Sequence, residues 1–394
     1  MMEIEDKNPR LGRYIETPAA GEVVRAFVPP PLPPNPPVDV LELLESLSAA
    51  ERAIGRLDGI TMLLPKQELF LYMYVRKEAV LSSQIEGTQS TLTDLLRFEM
   101  EAQAGAPIDD IREVSNYVDA LMYGLERLDD FPLSLRLIRE MHARLLKQGR
   151  GETKDPGVFR RSQNWIGGTR PGNALYVPPP VTELDQCLDN FERFIHDETS
   201  RLPALLKAGL LHVQFESIHP FLDGNGRTGR LLVTLFLCMK GVLRSPLLYL
   251  SLYLKTYRAD YYRLLQEVRD NGAWEAWLEF FLNGIAETAN QAFEAATRIV
   301  GLFKRDRERI SEQGERVGST LRIHELLQQH PFLTSNRLVE MTGLTAPTIN
   351  AALADLERLE IVQEVTGKKR GRVYSYRAYL DILNEGTAPL APAA

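Results

Sequence analysis

The 394-residue chain contains only two cysteines, Cys187 and Cys238. Two are too few for a disulfide framework or for a thiolate metal cage. A long uninterrupted apolar run is also lacking, because Lys240 and Pro246 interrupt the most apolar stretch, residues 231–254. This pattern indicates a buried core segment and excludes a membrane span there.

The N-terminus lacks the features of a secretory signal peptide, since residues 1–8 include several charges and no apolar run follows. A net charge of −7 excludes a global attraction to nucleic acids or anionic membranes, so any basic site must be local. The apolar content of 44% is typical of a soluble globular protein. We therefore expect a soluble, cytoplasmic protein of more than one domain that does not bind membranes.

Helical periodicity dominates the chain and predicts a mainly α fold. The proline-rich residues 1–40 predict an extended arm, because consecutive prolines favour polyproline II. Residues 41–104 predict N-terminal helices, and residues 105–300 predict a helical core. Within this core, residues 156–180 are rich in Gly and Pro and predict a hairpin of two short strands.

The C-terminal part differs in composition from the core. Residues 301–318 are highly charged and predict a connecting helix, and residues 384–394 are rich in Pro and Ala and predict a disordered tail. Between them, residues 319–383 predict three short helices followed by a hairpin with a basic tip. That order predicts a winged-helix domain.

The most informative segment is residues 219–230, His-Pro-Phe-Leu-Asp-Gly-Asn-Gly-Arg-Thr-Gly-Arg, which precedes an apolar helical run. A Gly-x-Gly turn at a helix start directs several backbone N–H groups at one point, where the helix dipole adds positive potential. Arg227 and Arg230 share one face of the first turns, where the dipole disfavours cations, so they indicate a bound polyanion. With His219 and Asp223 beside them, the pattern predicts chemistry on a nucleotide phosphate.

This segment resembles the signature of the Fic (filamentation induced by cyclic AMP) family, His-x-Phe-x-Asp/Glu-Gly-Asn-Gly-Arg-x-x-Arg, at every fixed position. Residues 82–87, Ser-Ser-Gln-Ile-Glu-Gly, resemble the family's inhibitory motif, and residues 166–168 and 176–180 resemble its flap over the active site. The resemblance covers roughly residues 40–300. It implies a Fic-type helical core with a small β-hairpin flap and an inhibitor in the same chain.

The resemblance implies transfer of AMP from ATP to a Tyr, Thr or Ser hydroxyl of a target protein, or of the chain itself, with release of pyrophosphate. His219 would be the base that deprotonates this hydroxyl. Phe221 would anchor the loop, and Asp223 would hold Mg²⁺, a hard ion that prefers oxygen ligands. The nucleotide ligands would be Gly224, Asn225, Gly226, Arg227, Thr228, Gly229 and Arg230, with Tyr261 and Tyr262 as walls of the base pocket.

The inhibitory residues implied by the resemblance are Ser82, Glu86 and Gly87. In the family this glutamate pairs with the second arginine of the signature, here Arg230, and removes it from the γ-phosphate. Local chemistry favours such a partner, because Gly87 suits a helix C′ position. Glu86 then lies in the last turn, where a carboxylate faces the negative end of the dipole and calls for a cation.

The flap predicts how a target is held. A target peptide would add as a strand to the edge formed by Trp165, Ile166, Gly167 and Gly168, which would place its hydroxyl near His219. Main-chain hydrogen bonds would then set the register with little selectivity for sequence.

Two other functions are consistent with the sequence. The family includes members that remove AMP, in which the glutamate corresponding to Glu86 positions a water. A DNA-binding regulator is the second, because residues 368–372 furnish a basic wing, although the module as a whole is not strongly basic. A protein-docking or dimerising winged helix, including a homodimer of this chain, and transfer of UMP, phosphocholine or phosphate also remain open. We interpret the histidines other than His219 as structural.

Overall fold

The computed structural model describes residues 9–63, 67–99, 107–313, 316–368 and 371–390. Within these ranges the fold is mainly α, as the periodicity predicts. No helix among them has the length and apolar character needed to cross a bilayer. The helices are α1 (Leu44–Leu63), α2 (Gln67–Ile85), α3 (Leu92–Glu99), α4 (Ile108–Leu128), α5 (Leu135–Leu145), α6 (Val181–His196), α7 (Ala204–Ile218), α8 (Asn225–Met239), α9 (Ser251–Thr256), α10 (Arg258–Asn271), α11 (Trp274–Ser311), α12 (Val317–Gln329), α13 (Ser335–Thr342), α14 (Ala346–Arg358) and α15 (Arg377–Asn384).

Two small antiparallel sheets accompany the helices. The first is the hairpin of β1 and β2, and the second has the strand order β3-β5-β4. The strands are β1 (Arg13–Ala19), β2 (Glu22–Val28), β3 (Phe332–Thr334), β4 (Gln363–Glu364) and β5 (Val373–Ser375).

Helix α7 lies at the centre of the molecule. Every residue from Leu205 to Ile218 is buried, because a helix that is apolar on nearly all sides requires neighbours all round. Helices α6, α8 and α11 pack against it. Helix α11 also packs along α1 and contacts α12 and α15, so it joins the N-terminal helices to the C-terminal domain.

The connecting helix predicted for residues 301–318 is the C-terminal part of α11, and its predicted bounds differ from those observed. Helix α11 continues without a break to Ser311, and α12 begins at Val317. Leu302, Phe303 and Ile310 are buried on α11, so most of the charged residues there form the solvent side of one long amphipathic helix. Asp306 is an exception, because it is 2% exposed and accepts a hydrogen bond from the Tyr376 hydroxyl. The winged-helix prediction is confirmed, with α12, α13 and α14 followed by β4 and β5.

The extended arm predicted for residues 1–40 is wrong over residues 13–28, which form the β1–β2 hairpin. The turn lies at Ala20 and Gly21, which have φ angles of 48° and 84°. Two adjacent residues with positive φ match the right-handed twist of the flanking strands. Residues 1–8 lie outside the described residues.

The disordered tail predicted for residues 384–394 is wrong over its first part. Thr387 is 2% exposed, and its carbonyl accepts a hydrogen bond from Gln84 Nε2 at 2.8 Å. The segment after α15 therefore packs on the last turn of α2. Residues 391–394 lie outside the described part of the chain.

Candidate active site

Residues 219–224 form the loop between α7 and α8. His219 ends α7 with a φ of 48°, in the left-handed region, where residues other than glycine are strained. Its N–H donates to the Phe215 carbonyl at 2.9 Å, and its carbonyl accepts from Arg160 Nε at 3.0 Å. These hydrogen bonds hold the strained backbone from both sides.

Phe221 anchors this loop in the core, as predicted. Its side chain is fully buried, and its ring stacks on His142 with centroids 3.6 Å apart. His142 Nδ1 accepts from the Gly157 N–H at 2.8 Å, and Nε2 lies 2.9 Å from the Asp223 carbonyl. Burial lowers the pKa of His142 to about 4. The neutral ring, protonated on Nε2, therefore ties Asp223 in place at pH 7.

The predicted glycine turn, Gly224 to Gly226, lies at the N-terminus of α8. Gly224 has a φ of 76°, which glycine adopts without strain. Asn225 braces the loop, because its Oδ1 accepts from the Phe221 N–H and its Nδ2 donates to the Phe221 carbonyl, both at 2.8 Å. A Cβ on Gly226 would lie 2.5 Å from Glu86 Oε1. The helix dipole favours an anion at this end of α8.

Thr228 and Gly229 face away from this helix end. Thr228 is fully buried, and its hydroxyl donates to the Gly224 carbonyl at 2.8 Å. A Cβ on Gly229 would lie 2.6 Å from Glu216 Oε1, so Gly229 faces α7. Their helical positions direct both residues into the core, so their side-chain positions do not support the predicted nucleotide-binding role, which remains a prediction.

Arg227 is already paired within the protein. Its Nη1 donates to Glu113 Oε2 at 2.9 Å, and the two side chains are 2% and 3% exposed. Its Nη2 lies 3.8 Å from Asp223 Oδ1. The sequence predicts an arginine available to phosphate and does not predict Glu113 of α4. Burial requires this pair, since a single buried charge without a partner is strongly destabilising.

Arg230 and Glu86 meet, as the resemblance predicts. Arg230 Nη2 lies 2.6 Å from Glu86 Oε1, and the side chains are 2% and 29% exposed. Arg230 also donates to Ser82 through Nε to the hydroxyl at 2.8 Å and through Nη2 to the carbonyl at 3.1 Å. Glu86 directly follows the last residue of α2, and Gly87 has a φ of 102°. Ser82 and Glu86 therefore both contact Arg230, and Gly87 follows Glu86 in the turn after α2.

The electrostatics of this pair favour its charged form. Burial raises the pKa of Glu86, but the guanidinium groups of Arg230, Arg227 and Arg150 outweigh it and hold the pKa below its usual range. Arg150 Nη1 also donates to the Glu86 carbonyl at 3.2 Å. Glu86 is therefore ionised at pH 7 and remains paired.

The His219 imidazole is neutral in this site at pH 7. Burial lowers its pKa to about 3, and the guanidinium groups of Arg269 and Arg160 act in the same direction. Nδ1 is enclosed by protein, which leaves Nε2 as the nitrogen open to solvent. A neutral imidazole with one accessible nitrogen can accept a proton at pH 7.

Asp223 places a carboxylate at this helix end. Its side chain is 28% exposed, and its Oδ1 accepts from the Gly224 N–H at 2.6 Å. No cluster of three or more His, Cys, Asp or Glu side chains that could hold a metal occurs among the described residues. Asp223 alone, with phosphate oxygens, fits the few protein ligands that Mg²⁺ takes in nucleotide sites.

The two tyrosines predicted for the base pocket differ in exposure. Tyr261 is 1% exposed and its hydroxyl lies 2.9 Å from His212 Nε2. This burial contradicts the prediction that Tyr261 is a wall of the base pocket. Tyr262 is 43% exposed, and its ring centroid lies 5.0 Å from that of Tyr261. Burial raises the pKa of Tyr262 to about 12, and the charge of Glu86 acts in the same direction while that of Arg230 opposes it. Tyr262 therefore borders the site.

The flap lies over the loop but has less strand structure than predicted. One isolated bridge joins Ile166 to Tyr176, and a 3₁₀ turn occupies Pro171–Asn173. The backbone groups of Trp165 and Gly167 make no hydrogen bond within the described part of the chain, so the predicted docking edge is open. Gly168 has a φ of 69°.

Side chains that the sequence analysis did not select attach the flap to the loop. Arg160 is 3% exposed and donates to the Pro179 carbonyl at 2.5 Å as well as to His219. Asn164 Nδ2 donates to the Phe221 carbonyl at 2.9 Å. The flap and the His219 loop are thus held by the same polar groups.

Known proteins share this sequence pattern. Residues 44–126 match the Fic/DOC family N-terminal model, and residues 132–237 match the Fic/DOC family model. Residues 44–237 thus contain the N-terminal and core regions of the Fic/DOC family. Residues 318–363 match a winged helix-turn-helix DNA-binding model.

Relatives of this chain include the protein adenylyltransferase Fic of Drosophila melanogaster, 29% identical over 278 residues, which are 69% of this chain and 52% of the relative. The protein of the same name from Drosophila yakuba is 32% identical over 202 residues, 50% of this chain and 38% of the relative. The chain thus spans about half the length of the first of these relatives. A Fic family protein from Desulfovibrio desulfuricans shares the fold, with a TM-score of 0.57 and 20% identity over 86% of this chain and 97% of that one.

Two further residues that shape this Fic site, Glu113 and His142, escaped sequence reasoning for different reasons. Glu113 lies on α4 in a segment that reads as an ordinary amphipathic helix, and nothing local marks it as buried. His142 has no ligand spacing and was interpreted as structural. Its role emerges from a contact across 81 residues of sequence.

Proposed function

We propose that this chain is an autoinhibited protein adenylyltransferase. It transfers AMP from ATP to a Tyr, Thr or Ser hydroxyl of a protein and releases pyrophosphate. The observation that carries the proposal is the meeting of His219, Asp223 and the first turn of α8, with Arg230 held by Glu86 at 2.6 Å. The names of the Drosophila relatives support the same activity.

The chemistry assigned to each group follows from its surroundings. The target oxygen attacks the α-phosphorus, the bond from this phosphorus to the oxygen that bridges to the β-phosphorus breaks, and pyrophosphate leaves with the electron pair. His219 Nε2 accepts the hydroxyl proton, since burial keeps the imidazole neutral. Backbone N–H groups of Gly224, Asn225 and Gly226 bind phosphate oxygens. Mg²⁺, held by Asp223, would neutralise phosphate charge when bound.

Inhibition follows from the occupancy of Arg230. Glu86 and Ser82 use the guanidinium donors that the γ-phosphate would otherwise receive. Arg227 is likewise engaged by Glu113. Productive binding of ATP therefore requires Glu86 to leave Arg230, and each state excludes the other.

The backbone groups of Trp165 and Gly167, which make no hydrogen bond within the described part of the chain, support strand addition as the mode of target binding. Proline at position 165 removes one outward N–H, and Trp165→Ala is the matched control that keeps it. We expect Trp165→Pro to impair modification of a protein substrate while ATP binding is retained. Loss of ATP binding as well would assign the flap to the nucleotide instead.

The experiment for the proposed activity compares three proteins with labelled ATP and Mg²⁺. Glu86→Gly should raise self-modification above the wild-type level, and adding His219→Ala to Glu86→Gly should abolish it. Mass spectrometry of the Glu86→Gly protein after incubation with each nucleotide identifies the group transferred. Equal labelling of all three proteins would contradict both assignments.

The same preparation tests the reverse activity. A modified protein is freed of nucleotide and incubated with fresh wild-type chain and Mg²⁺. Removal of AMP that depends on Glu86 would make the wild-type chain a deAMPylating enzyme. Retention of AMP supports the transferase alone.

A second candidate function, DNA binding, is favoured by the family match at residues 318–363. Thr345 and Asn350 are exposed near the start of α14, the helix that would enter the major groove. Part of the basic wing, residues 369–370, lies outside the described residues. A salt-dependent shift of duplex DNA by the full chain would support this function, and no shift at low salt would exclude it.

A further inference from the structure

The N-terminal hairpin, β1 and β2, is attached to the flap. The Phe27 N–H of β2 donates to the Val177 carbonyl at 2.9 Å, so β2 continues the flap's hydrogen bonding on the side opposite Ile166. The Phe27 ring lies 6.2 Å from that of Tyr176. At the flap tip, Glu22 Oε1 lies 2.5 Å from Arg170 Nη1.

A small apolar cluster lies between the hairpin and the flap. Its buried members are Ala19, Val24, Ala26 and Val177, and Trp165 and Ala174 pack against them. This cluster is separate from the main core. Because Trp165 and Ala174 belong to the two opposite legs of the flap, both legs rest on the hairpin.

The flap is in turn hydrogen-bonded next to the catalytic loop. Tyr176 donates its hydroxyl hydrogen to the Ser217 carbonyl at 2.6 Å, two residues before His219. The hairpin itself makes no hydrogen bond, ion pair or ring contact with residues 223–230 among the described residues. The hairpin therefore reaches the docking edge without touching the nucleotide side of the site.

We propose that the hairpin is part of the target-binding apparatus: it sets the position of the Trp165–Gly168 edge, and Val24 is a positioning residue for the protein substrate. This inference rests on the proposed transferase function. It follows that the hairpin controls binding of an extended target segment and leaves binding of ATP unaffected. The partner is a protein with an exposed strand-forming segment that carries the hydroxyl.

Two neighbouring residues of β2 provide a matched pair of variants. Val24 is 7% exposed in the cluster, whereas Val23 is 72% exposed on the other side of the strand. A carboxylate at position 24 cannot remain in the apolar cluster without a partner, so Val24→Asp separates the hairpin from the flap. Val23→Asp adds the same charge in solvent and should leave the cluster intact.

The transfer assay uses the Glu86→Gly protein with each valine variant, and a tagged His219→Ala chain serves as the protein substrate. We expect Val24→Asp to raise KM for that substrate about tenfold, with KM for ATP changed less than twofold. Val23→Asp should match the parent. Equal behaviour of the two variants, or a parallel loss of ATP affinity, would overturn the proposal.

Hydrogen exchange of the wild-type chain and the same variants gives a readout that does not depend on transfer. Val24→Asp should speed exchange at the Ile166 and Tyr176 amides at least tenfold and leave the amides of α8 unchanged. Unchanged flap amides would overturn the inference even if the chain is not a transferase. Faster exchange at the flap amides of Val24→Asp, with no transfer by any variant, would contradict the proposed function. It would still support the inference that the hairpin positions the flap.

Discussion

Replacing Glu86 with glycine should activate the chain and destabilise it at the same time. Arg230 is buried, Glu86 is 29% exposed, and the two atoms that join them lie 2.6 Å apart. A hydrogen bond between charged groups contributes about 1.5–3 kcal/mol net, and the partial exposure of Glu86 places this one near the lower end. Because 1.4 kcal/mol corresponds to about a tenfold change, release of Arg230 should raise the initial rate of self-modification about 10- to 30-fold.

The same variant leaves a buried guanidinium with Ser82 as its remaining hydrogen-bond partner. We expect the free energy of unfolding to fall by about 1–2 kcal/mol, since one buried charge loses its counter-charge. ATP with Mg²⁺ should restore more stability to Glu86→Gly than to the wild type, because its phosphates replace the lost carboxylate. Calorimetry with and without nucleotide measures this difference directly.

A control variant distinguishes loss of the Glu86–Arg230 pair from a general effect of replacing a glutamate at a helix end with glycine. Glu312 is an exposed C-cap residue of α11, so Glu312→Gly makes the same chemical change far from Arg230. Glu86→Gln should give intermediate activation, because the amide keeps an acceptor and loses the charge. The reasoning is refuted if Glu86→Gly transfers no faster than Glu312→Gly, or if ATP stabilises both variants equally.

Three further predictions follow from other contacts, and the first two are measured in the Glu86→Gly protein. Because the pKa of His219 is lowered to about 3, its imidazole is fully deprotonated at pH 6–8 and becomes protonated only as the pH falls toward 3. We therefore expect kcat/KM to be constant from pH 6 to 8. A step in kcat/KM near pH 6.5 would contradict the assignment of His219 as the base. Arg160→Lys removes at least one donor to the His219 or Pro179 carbonyl. We therefore expect kcat to fall about tenfold or more, with KM for ATP unchanged. In an Arg160→Ala variant, added guanidinium should restore part of kcat. Lys255 Nζ donates to Gln84 Oε1 at 2.7 Å, two residues before Glu86. If that contact holds Glu86 in place, Lys255→Met should raise transfer several-fold in a chain that keeps Glu86 and should add nothing to Glu86→Gly.

Periodicity and spacing were enough to predict the mainly α fold, the winged helix and the helix that opens after the glycine turn. These features depend on neighbours a few residues apart, where apolar spacing and capping act directly. Hairpin β1–β2 was missed because the prolines after it dominate the reading of residues 1–40. The Ala20–Gly21 turn is a weak signal in comparison.

Predictions about individual side chains had a mixed outcome. Arg227 and Tyr261 have the expected residue types but are buried and paired, with Glu113 and His212 respectively. Glu113 joins Arg227 across 114 residues of sequence. Pairing of this kind depends on how helices pack, and a single sequence carries no local mark of it.

The sequence by itself determined the chemistry of the loop at residues 219–230, because an imidazole, a carboxylate, glycines and arginines at that spacing suit a phosphate at a helix N-terminus. The tertiary structure decided which of those groups are available. Packing of α2 against α8 sets Glu86 on Arg230 at 2.6 Å, and packing of α4 sets Glu113 on Arg227 at 2.9 Å. The sequence specifies which residues are charged, whereas the fold determines which charges pair. A buried arginine is stable only beside a carboxylate, and here that carboxylate comes from another part of the chain.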